Sequence, residues 1–306
     1  MAKLQNQRTK EIIKLRSPHI FGRLPATAHT VLTEQSASRV HASISWTGTL
    51  WQIKDSSSNG TYVNGDKIKA GQSQNLTKYD QIQFGSIDYD VWSVIETDEP
   101  KSMLVCVGEH NRIIELTDLM ALPDEASPEV CFYRKSPHEW VMETEQEHSV
   151  LKSGALVSLA NQKWFFVSPE DIDETVPVNH DSVELPVLDF NVSSDEEHVQ
   201  LSIFWNQNKI DLGERVHHYL LLCLARKKIS DNEQGIKATE QGWIERNDLV
   251  KMTGMDEKHI NIQIYRFREQ LLNSCNQAML LLSLIEKRRG LIRLACQNIH
   301  ISGGLS

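Results

Sequence analysis

The residues from Ser36 to Gly65 decide the fold of the N-terminal part of the chain. They read SASRVHASISW over 36–46 and WQIKDSSSNGTYVNG over 51–65. In both stretches a polar cluster adjoins a run of alternating apolar and polar residues, the pattern of a half-buried β-strand. Asn64-Gly65 is typical of a tight hairpin turn, because both central residues of that turn need a positive φ. The pattern predicts a β-sandwich with polar loops at one end, and a core-facing set of Val40, Ala42, Ile44 and Trp46.

The predicted loops carry side chains suited to an anion. Arg23 follows Gly22 where a strand would turn into a loop. Arginine presents a planar fork of donors that fits two phosphate oxygens at once. Ser38, Ser58 and Asn59 add hydroxyl and amide donors. An arginine, two hydroxyls and an amide on separate loops of a rigid sandwich predict a pocket for a phosphate monoester dianion.

Four motifs follow one another in a recognisable order. They are Gly22-Arg23, the Ser38–His41 cluster SRVH, the Asp55–Gly65 stretch DSSSNGTYVNG, and the Tyr79–Gly85 stretch YDQIQFG. Together they closely resemble the forkhead-associated (FHA) domain, a β-sandwich that binds phosphothreonine peptides. The resemblance covers about the first third of the chain.

The resemblance to FHA domains implies a role for each matching residue. Arg23 and Ser38 would hold the phosphate. Contacts to the phosphate or the peptide would come from Arg39, Ser58 and Asn59, while Asn64 would set the peptide-binding loop. Structural roles fall to Gly22, His41 and Gly60. The alternative is a sandwich that has kept these turns but binds no phosphate.

Length and composition bound the class of protein. A chain of 306 residues with 40% apolar residues is long enough for two or three domains with real cores. It contains no apolar run of about 18 residues, and its start, MAKLQNQRTK, is polar and basic. We therefore expect neither a membrane span nor a secretory signal. Five scattered cysteines without CxxC pairs indicate reduced thiols in a cytoplasmic protein rather than disulfides or a metal site.

Charge is distributed unevenly along the chain. The net charge is −9, but residues 98–200 hold 22 acidic and 6 basic residues, whereas both ends are mildly basic. The acidic middle is either a degenerate second FHA-like unit without the phosphate-binding motifs or a small β-rich connecting domain. Its end, Pro169–Glu184, has the composition of a solvated linker and contains Thr175, a candidate internal phosphorylation site. We predict three parts: an FHA β-sandwich at 1–97, an acidic β-rich connecting segment at 98–184, and a third domain at 185–306.

The third domain combines strands with helices. Leu188–Val192 and Val199–Trp205 are expected strands, and three helical segments follow, the third capped by Asp256. Two later runs, Leu281–Ile285 and Leu291–Leu294, are expected to form a hairpin with a basic tip. At about 100° per residue, the third helix places four apolar residues on one buried stripe: Ile260, Ile264, Phe267 and Leu271.

The sequences INIQIYRFREQL at 260–271 and RRGLIRL at 288–294 are similar to the recognition helix and wing of OmpR/PhoB-type winged helix-turn-helix domains. The resemblance implies binding to double-stranded DNA, where cations meet phosphates or guanine and an aliphatic side chain can meet a thymine methyl group. Tyr265 and Glu269 stand where the family carries arginine and lysine. The alternative is a winged helix used for protein contacts. The candidate DNA-binding residues are Lys258, His259, Ile262, Gln263, Tyr265, Arg266, Arg268, Lys287, Arg288, Arg289 and Arg293.

The sequence contains no P-loop, HExxH or GxSxG motif, so we expect neither an enzyme nor a cofactor. The expected fold is multidomain, with a mainly β N-terminal half and an α+β winged-helix domain at the C-terminal end. The expected function is that of a bacterial, cytoplasmic transcription regulator. It would read phosphothreonine on a Ser/Thr kinase or its target and bind DNA, with dimerisation on DNA as a further expectation. The competing function is a phosphopeptide-binding adaptor, without DNA binding, in a kinase-controlled secretion or signalling assembly.

Overall fold

The computed structural model describes residues 1–69, 71–145, 148–169, 185–275 and 278–304, with only the backbone at 110–111. The chain forms two compact units, Met1–Leu116 with Lys152–Asp173, and Thr117–Leu151 with Glu174–Ser306. The connecting segment predicted at 98–184 is thus divided between the two units. The predicted linker and its Thr175 lie, apart from Pro169, outside the described residues.

Among the described residues of 1–97, all regular elements are β-strands. Their bounds are β1 Lys3–Asn6, β2 Ile12–Lys14, β3 His19–Gly22, β4 Thr30–Val31, β5 Ala42–Trp46, β6 Trp51–Asp55, β7 Thr61–Val63, β8 Asp66–Lys67, β9 Ser73–Leu76, β10 Gln81–Phe84 and β11 Trp92–Glu96. One sheet has the order β2-β1-β11-β10-β7-β8 and the other the order β4-β3-β5-β6-β9.

The two sheets share one hydrophobic core. Ala42 and Ile44 of β5 are fully buried, and Ile44 pairs with Ile53 of β6. Across the core, Phe21 of β3 stacks on Phe84 of β10 with ring centroids 4.8 Å apart. A buried isoleucine or phenylalanine side chain contributes about 1.5–3 kcal/mol when it is removed from water. The predicted β-sandwich is confirmed.

Val40 and Trp46 do not lie in the core as the sequence predicted. His41 and Ala42 are both fully buried, so the alternation breaks between them. Val40 therefore lies in the loop before β5 and is 41% exposed, which makes its predicted place on the core face wrong. Trp46, at the end of β5, is only half-buried against the core.

The next part of the chain forms eight strands among the described residues. Their bounds are β12 Met103–Cys106, β13 Glu109–Glu115, β14 Leu119–Leu122, β15 Val130–Ser136, β16 Glu139–Thr144, β17 His148–Leu151, β18 Leu156–Leu159 and β19 Gln162–Val167. The sheet β13-β12-β19-β18 belongs to the first unit and the sheet β14-β15-β16-β17 to the second.

The strand order of these two sheets repeats that of the FHA sandwich. The order β13-β12-β19-β18 corresponds to β2-β1-β11-β10, and β14-β15-β16-β17 corresponds to β3-β5-β6-β9. Where Arg23 follows β3, Pro123 follows β14. Each of the two sheets thus shares a strand order with the FHA sandwich, but the phosphate-binding motifs are missing.

The C-terminal part of the second unit mixes strands and helices. Its elements are β20 Val187–Val192, β21 Val199–Trp205, β22 Asn208–Glu214, α1 His217–Glu233, β23 Ile244–Glu245, α2 Arg246–Thr253, α3 Glu257–Ser274, a 3₁₀ helix Ala278–Leu284, β24 Ile285–Arg288, β25 Leu291–Leu294 and β26 Asn298–Gly303. One sheet has the order β22-β21-β20-β26, and a small one the order β23-β25-β24. No helix of the described residues is long and apolar enough to cross a membrane.

Local sequence explains where these helices begin and end. Gly254, with φ +68°, ends α2 in the left-handed conformation that glycine tolerates. Asp256 caps α3, as predicted, by accepting a 2.8 Å hydrogen bond from the His259 N–H. The apolar stripe predicted on α3 is confirmed, because its four residues are buried. The strand predicted at Leu281–Ile285 is wrong: a 3₁₀ helix continues to Leu284, and β24 begins only at Ile285.

Candidate functional site

The predicted phosphate-binding residues lie on three loops of the FHA sandwich. Arg23 directly follows β3, Ser38 lies between β4 and β5, and Ser58 lies between β6 and β7. The Arg23 N–H donates to the Ser38 carbonyl at 2.9 Å. The Oγ atoms of Ser38 and Ser58 are 3.3 Å apart, and the Ser58 N–H donates to Ser38 Oγ at 3.2 Å. The structure therefore brings these three residues into one hydrogen-bonded set.

Gly22 allows the first two loops to approach each other. A Cβ atom added at Gly22 would lie 2.2 Å from the carbonyl oxygen of Arg39. The neighbouring Leu24 N–H donates to that same carbonyl at 3.2 Å. The glycine before Arg23 is therefore a steric requirement, and it places the backbones of Arg23 and Arg39 side by side with both side chains exposed.

His41 joins two of the loops from below. Its imidazole is fully buried; Nδ1 accepts from the Ser38 N–H at 3.0 Å, and Nε2 donates to the Gly60 carbonyl at 3.2 Å. The ring packs edge-on against Phe84, with centroids 5.5 Å apart. Burial lowers the pKa of His41, so the ring stays neutral and keeps one acceptor and one donor. This is the structural position that the resemblance implies.

The two asparagines predicted to meet the peptide differ in their surroundings. Asn59 is exposed, and its amide donates to the Ser36 carbonyl at 2.8 Å. Asn64, with φ +54°, donates to Asp80 at 2.8 Å and accepts from the Gln81 N–H at 2.9 Å. Asn64 therefore fixes the β7–β8 turn against β10, and its amide does not join the Ser38–Ser58 set.

Asp55 organises the Ser58 loop, a role that the sequence reasoning missed. Its Oδ1 accepts from Ser57 Oγ at 2.7 Å and from Thr61 Oγ1 at 2.8 Å. Ser57 Oγ in turn accepts from the Gly60 N–H at 2.7 Å. The sequence DSSSNGT could have indicated this role, because an aspartate at the end of a strand precedes three hydroxyl residues that it can bind.

Lys67 is a second residue that the sequence did not point to. A Cβ atom at Gly60 would lie 2.1 Å from Lys67 Cε, so the lysine side chain crosses directly over that glycine. Its ammonium lies 6.0 Å from the centre of the Tyr62 ring. Nothing in its local sequence distinguishes Lys67 from other surface lysines, because the contact depends on the pairing of β7 with β8.

The candidate DNA-binding residues fall into two groups. Exposed or half-buried are Lys258, His259, Ile262, Arg266, Arg288, Arg289 and Arg293. Buried are Gln263, Tyr265, Arg268 and Lys287. The prediction that these four side chains contact DNA is corrected, because protein atoms cover them in this structure.

Arg268 and Lys287 both bind Glu143 of β16. Arg268 donates to the two carboxylate oxygens at 2.9 and 3.0 Å, and Lys287 Nζ lies 2.7 Å from Oε1. The guanidinium also lies over the Tyr133 ring, 4.1 Å from its centre. Burial alone would raise the pKa of Glu143, but the two cations hold the pKa of that carboxyl well below its usual value.

Further contacts connect helices α2 and α3 with the loops of the same sheet. The Tyr265 hydroxyl donates to Glu125 at 2.8 Å, and Arg246 Nη1 lies 3.1 Å from Glu145 Oε1. Burial and the bond to Glu125 raise the pKa of Tyr265 above its ordinary value. Tyr265 is therefore a neutral donor whose hydroxyl is already in use.

The basic hairpin packs on an aromatic ring. Arg288 and Arg293 lie over the Trp243 ring, with their Cζ atoms 4.1 and 4.5 Å from its centre. Arg288 also pairs with Glu240 at 3.2 Å, and Arg293 with Glu286 at 2.5 Å. These contacts hold the arginine stems, and of the two Arg288 remains exposed.

The five cysteines are free thiols. Over the described ranges, no three His, Cys, Asp or Glu side chains come together in a way that could hold a metal ion.

Comparisons with known proteins place the N-terminal sandwich in a family. The family model described as FHA domain matches residues 19–85. Nibrin of Danio rerio is 44% identical over 52 residues, which are 17% of this chain and only 6% of Nibrin. The N-terminal part of the chain is therefore an FHA domain, and its Arg23, Ser38, His41 and Asn59 all lie within the matched range.

Solved structures of FHA proteins show the same local similarity. The FhaA FHA domain complexed with the intracellular domain of Rv3910 is 29% identical, with a TM-score of 0.27, and the match covers 31% of this chain and 99% of that chain. Mycobacterium tuberculosis EmbR in complex with a low-affinity phosphopeptide is 27% identical, with a TM-score of 0.28, over 32% of this chain and 25% of that chain.

Proposed function

We propose that the protein is a phosphothreonine-responsive regulator that binds phosphopeptides through its FHA domain and DNA through its C-terminal domain. The observation that carries the first half is the approach of the Ser38 and Ser58 hydroxyls to 3.3 Å on loops that also hold Arg23. Gly22 and His41 fix those loops without using the hydroxyls themselves.

A phosphothreonine side chain matches this arrangement chemically. It carries a charge of about −1.5 to −2 and three acceptor oxygens, and the site offers a guanidinium and hydroxyl donors. The Ser38–Ser58 hydrogen bond would be exchanged for bonds to phosphate oxygens. An unphosphorylated threonine supplies neither the charge nor the acceptors, so the site would discriminate strongly between the two forms. The implied partner is a phosphorylated protein or the Ser/Thr kinase itself.

A binding titration of the full chain with phosphothreonine peptides and their unphosphorylated twins tests this half. Arg23→Ala should weaken phosphopeptide binding by about tenfold or more, because a charge-assisted hydrogen bond to phosphate contributes about 1.5–3 kcal/mol. Arg8→Ala is the matched control, since this exposed arginine pairs with Asp90 instead. Equal affinity for both peptide forms would exclude phosphothreonine recognition.

The second half of the proposal assigns a DNA-binding winged helix to the C-terminal domain. Its support is the element order α1, β23, α2, α3 and the hairpin β24–β25, with β23 and the hairpin in one sheet. Cationic and polar side chains stay exposed along α3 and at the hairpin tip: Lys258, His259, Arg266, Arg288 and Arg289. Basic residues in these places would meet DNA phosphates and base edges.

Arg266→Glu tests the DNA-binding half in a titration with genomic fragments at low salt. The variant should lose both affinity and part of its salt dependence, because a phosphate contact releases counterions. Lys209→Glu, with the same charge reversal on β22, should bind as the wild type does. If Arg266→Glu binds DNA as tightly as the wild type, α3 does not contact DNA.

A phosphopeptide-binding adaptor without DNA binding is the second candidate function. The burial of Gln263, Tyr265, Arg268 and Lys287 under protein contacts favours it. A protein that binds phosphopeptides through Arg23 but shows only weak, salt-erased DNA binding, unaffected by Arg266→Glu, would be such an adaptor.

A further inference from the structure

The geometry points to an intramolecular mask: the sheet β14–β17 occupies the DNA-binding face of α3 and holds the protein in a resting state that binds DNA poorly. The inference rests on the DNA-binding half of the proposed function and adds its regulation. The occupant of the face is thus a segment of this same chain, residues 117–151.

The masking sheet presents negative charge where the FHA sandwich presents phosphate-binding groups. Its strand order matches β3-β5-β6-β9 of the FHA domain. The loop after β3 carries Arg23 and the loop after β6 carries Ser58, whereas the loops after β14 and β16 carry Glu125 and Glu145. Residues 117–151 hold eight acidic and two basic residues. The loops after β14 and β16 therefore attract a cationic partner rather than an anionic one.

Glu143 stands in for a phosphate on the face of α3. One carboxylate receives two parallel bonds from Arg268, at 2.9 and 3.0 Å, and one contact from Lys287, at 2.7 Å. A guanidinium fork and an ammonium around one anion form the donor set that proteins use for phosphate oxygens. While Glu143 is in place, neither cation can reach a DNA backbone.

Contacts at the edge of the sheet complete the mask. Tyr265 donates to Glu125, and Arg246, at the start of α2, pairs with Glu145. Glu125 and Glu145 are both exposed, so their bonds close the rim of the contact. The buried and the exposed contacts together involve α2 and α3, the two helices that a winged helix places against DNA.

The ionic part of the contact suits a surface that can be released, and it lies beside an apolar part in which Leu119, Cys131 and Val141 join the core of the second unit. Burying three charges carries a desolvation cost that their mutual attraction only partly repays. Gln263 Oε1 and Tyr133 Oη are also buried without a hydrogen-bond partner among the described residues, and each such atom costs free energy. Apolar groups in place of these buried polar and charged groups would hold the sheet more tightly. The cations of α3 and the hairpin tip that remain exposed, Lys258, Arg266 and Arg289, would support only weak binding in the masked state.

The test compares DNA binding by the full-length wild type, Glu143→Gln and Glu139→Gln, with a short random-sequence duplex at low salt. Glu143→Gln removes the anion from the face and should bind at least about tenfold more tightly than the wild type. Glu139→Gln is the matched control: it lies on the same strand, but its carboxylate pairs with Lys135 within the sheet, and its binding should not change. Hydrogen exchange at β16 and α3, measured on the same samples, should rise in Glu143→Gln only.

A second variant guards against misfolding of Glu143→Gln, because that change leaves two buried cations short of a partner. The double variant Glu125→Gln/Glu145→Gln alters only exposed side chains and should raise both DNA affinity and exchange in the same direction. Tight wild-type binding that equals that of both variants would overturn the mask and leave the DNA-binding function intact. No DNA binding by any variant, with exchange at α3 raised, would overturn the DNA-binding function and the mask with it.

Discussion

Glu143 on β16 and Arg268 on α3 are 125 residues apart in sequence and form a two-pronged ion pair that is closed to solvent at both ends. Each side chain is only 1% exposed. Separating the sheet β14–β17 from the helix inside the protein would leave each charge buried without a partner, which costs free energy. The ion pair therefore holds the sheet and the helix together.

Arg268→Ala should lower the free energy of unfolding by about 3 kcal/mol, the lower end of the range for breaking a buried pair, because Lys287 stays with Glu143. Urea denaturation followed by tryptophan fluorescence measures the change. Arg266→Ala on the exposed side of α3 should cost no more than about 0.5 kcal/mol. Equal losses in the two variants would mean that the buried pair adds nothing to stability.

The stability of the second unit should fall in acid because of Glu143. Its pKa lies below the ordinary value of 4.5 in the folded protein, so its contribution is present above that value and is lost as the pH falls through the folded pKa. The wild type should therefore lose more stability than Glu143→Gln between about pH 5 and about pH 3. Urea titrations at several pH values would show this, and parallel pH profiles would contradict it.

Gly22→Ala should weaken phosphopeptide binding and lower stability by about 1–3 kcal/mol, since the new methyl group would force the Arg23 and Arg39 loops apart. A peptide titration and a denaturation curve report the two effects. Gly48→Ala is a useful comparison because its Cβ would meet no atom within 4 Å. It should strain the backbone locally but leave the affinity unchanged.

His41→Ala should destabilise the FHA domain by about 2–4 kcal/mol, because it removes two hydrogen bonds and leaves a cavity beside Phe84. Because the pKa of His41 is lowered in the folded protein, the stability of the wild type should also depend on pH. The contribution of His41 is present above the ordinary value of 6.5 and is lost as the pH falls through the folded pKa. A denaturation profile that keeps its wild-type steepness below that pH in His41→Ala would rule out this role.

Local patterns predicted those parts of the fold that depend on local physics. Alternation located β5 and β6, and helical periodicity located the buried stripe of α3 from Ile260 to Leu271. Val40 was misplaced, because the buried ring of His41 shifts the alternation by one residue. The strand predicted at Leu281 failed because apolar runs of that length suit a short helix equally well.

Contacts between distant segments could not be read from the sequence. The outer face of α3 contains arginine, glutamine and tyrosine, as an exposed face would, and its local sequence gives no sign that Glu125 and Glu143 cover it. The same limit applies to Lys67, which reaches Gly60 only through strand pairing. The role of Asp55 could have been predicted, since the hydroxyl residues that it binds lie within six positions of it in the sequence.

The covering sheet is an excursion of the chain, which leaves the first unit at Leu116 and rejoins it at Lys152. No truncation from either end can therefore remove that sheet and still keep both the FHA domain and α3. A fragment that begins at Leu185 would carry Arg268 and Lys287 without their carboxylate. If the proposed mask operates, such a fragment should bind DNA more tightly than the intact protein, so an internal excision is the dissection that this architecture permits.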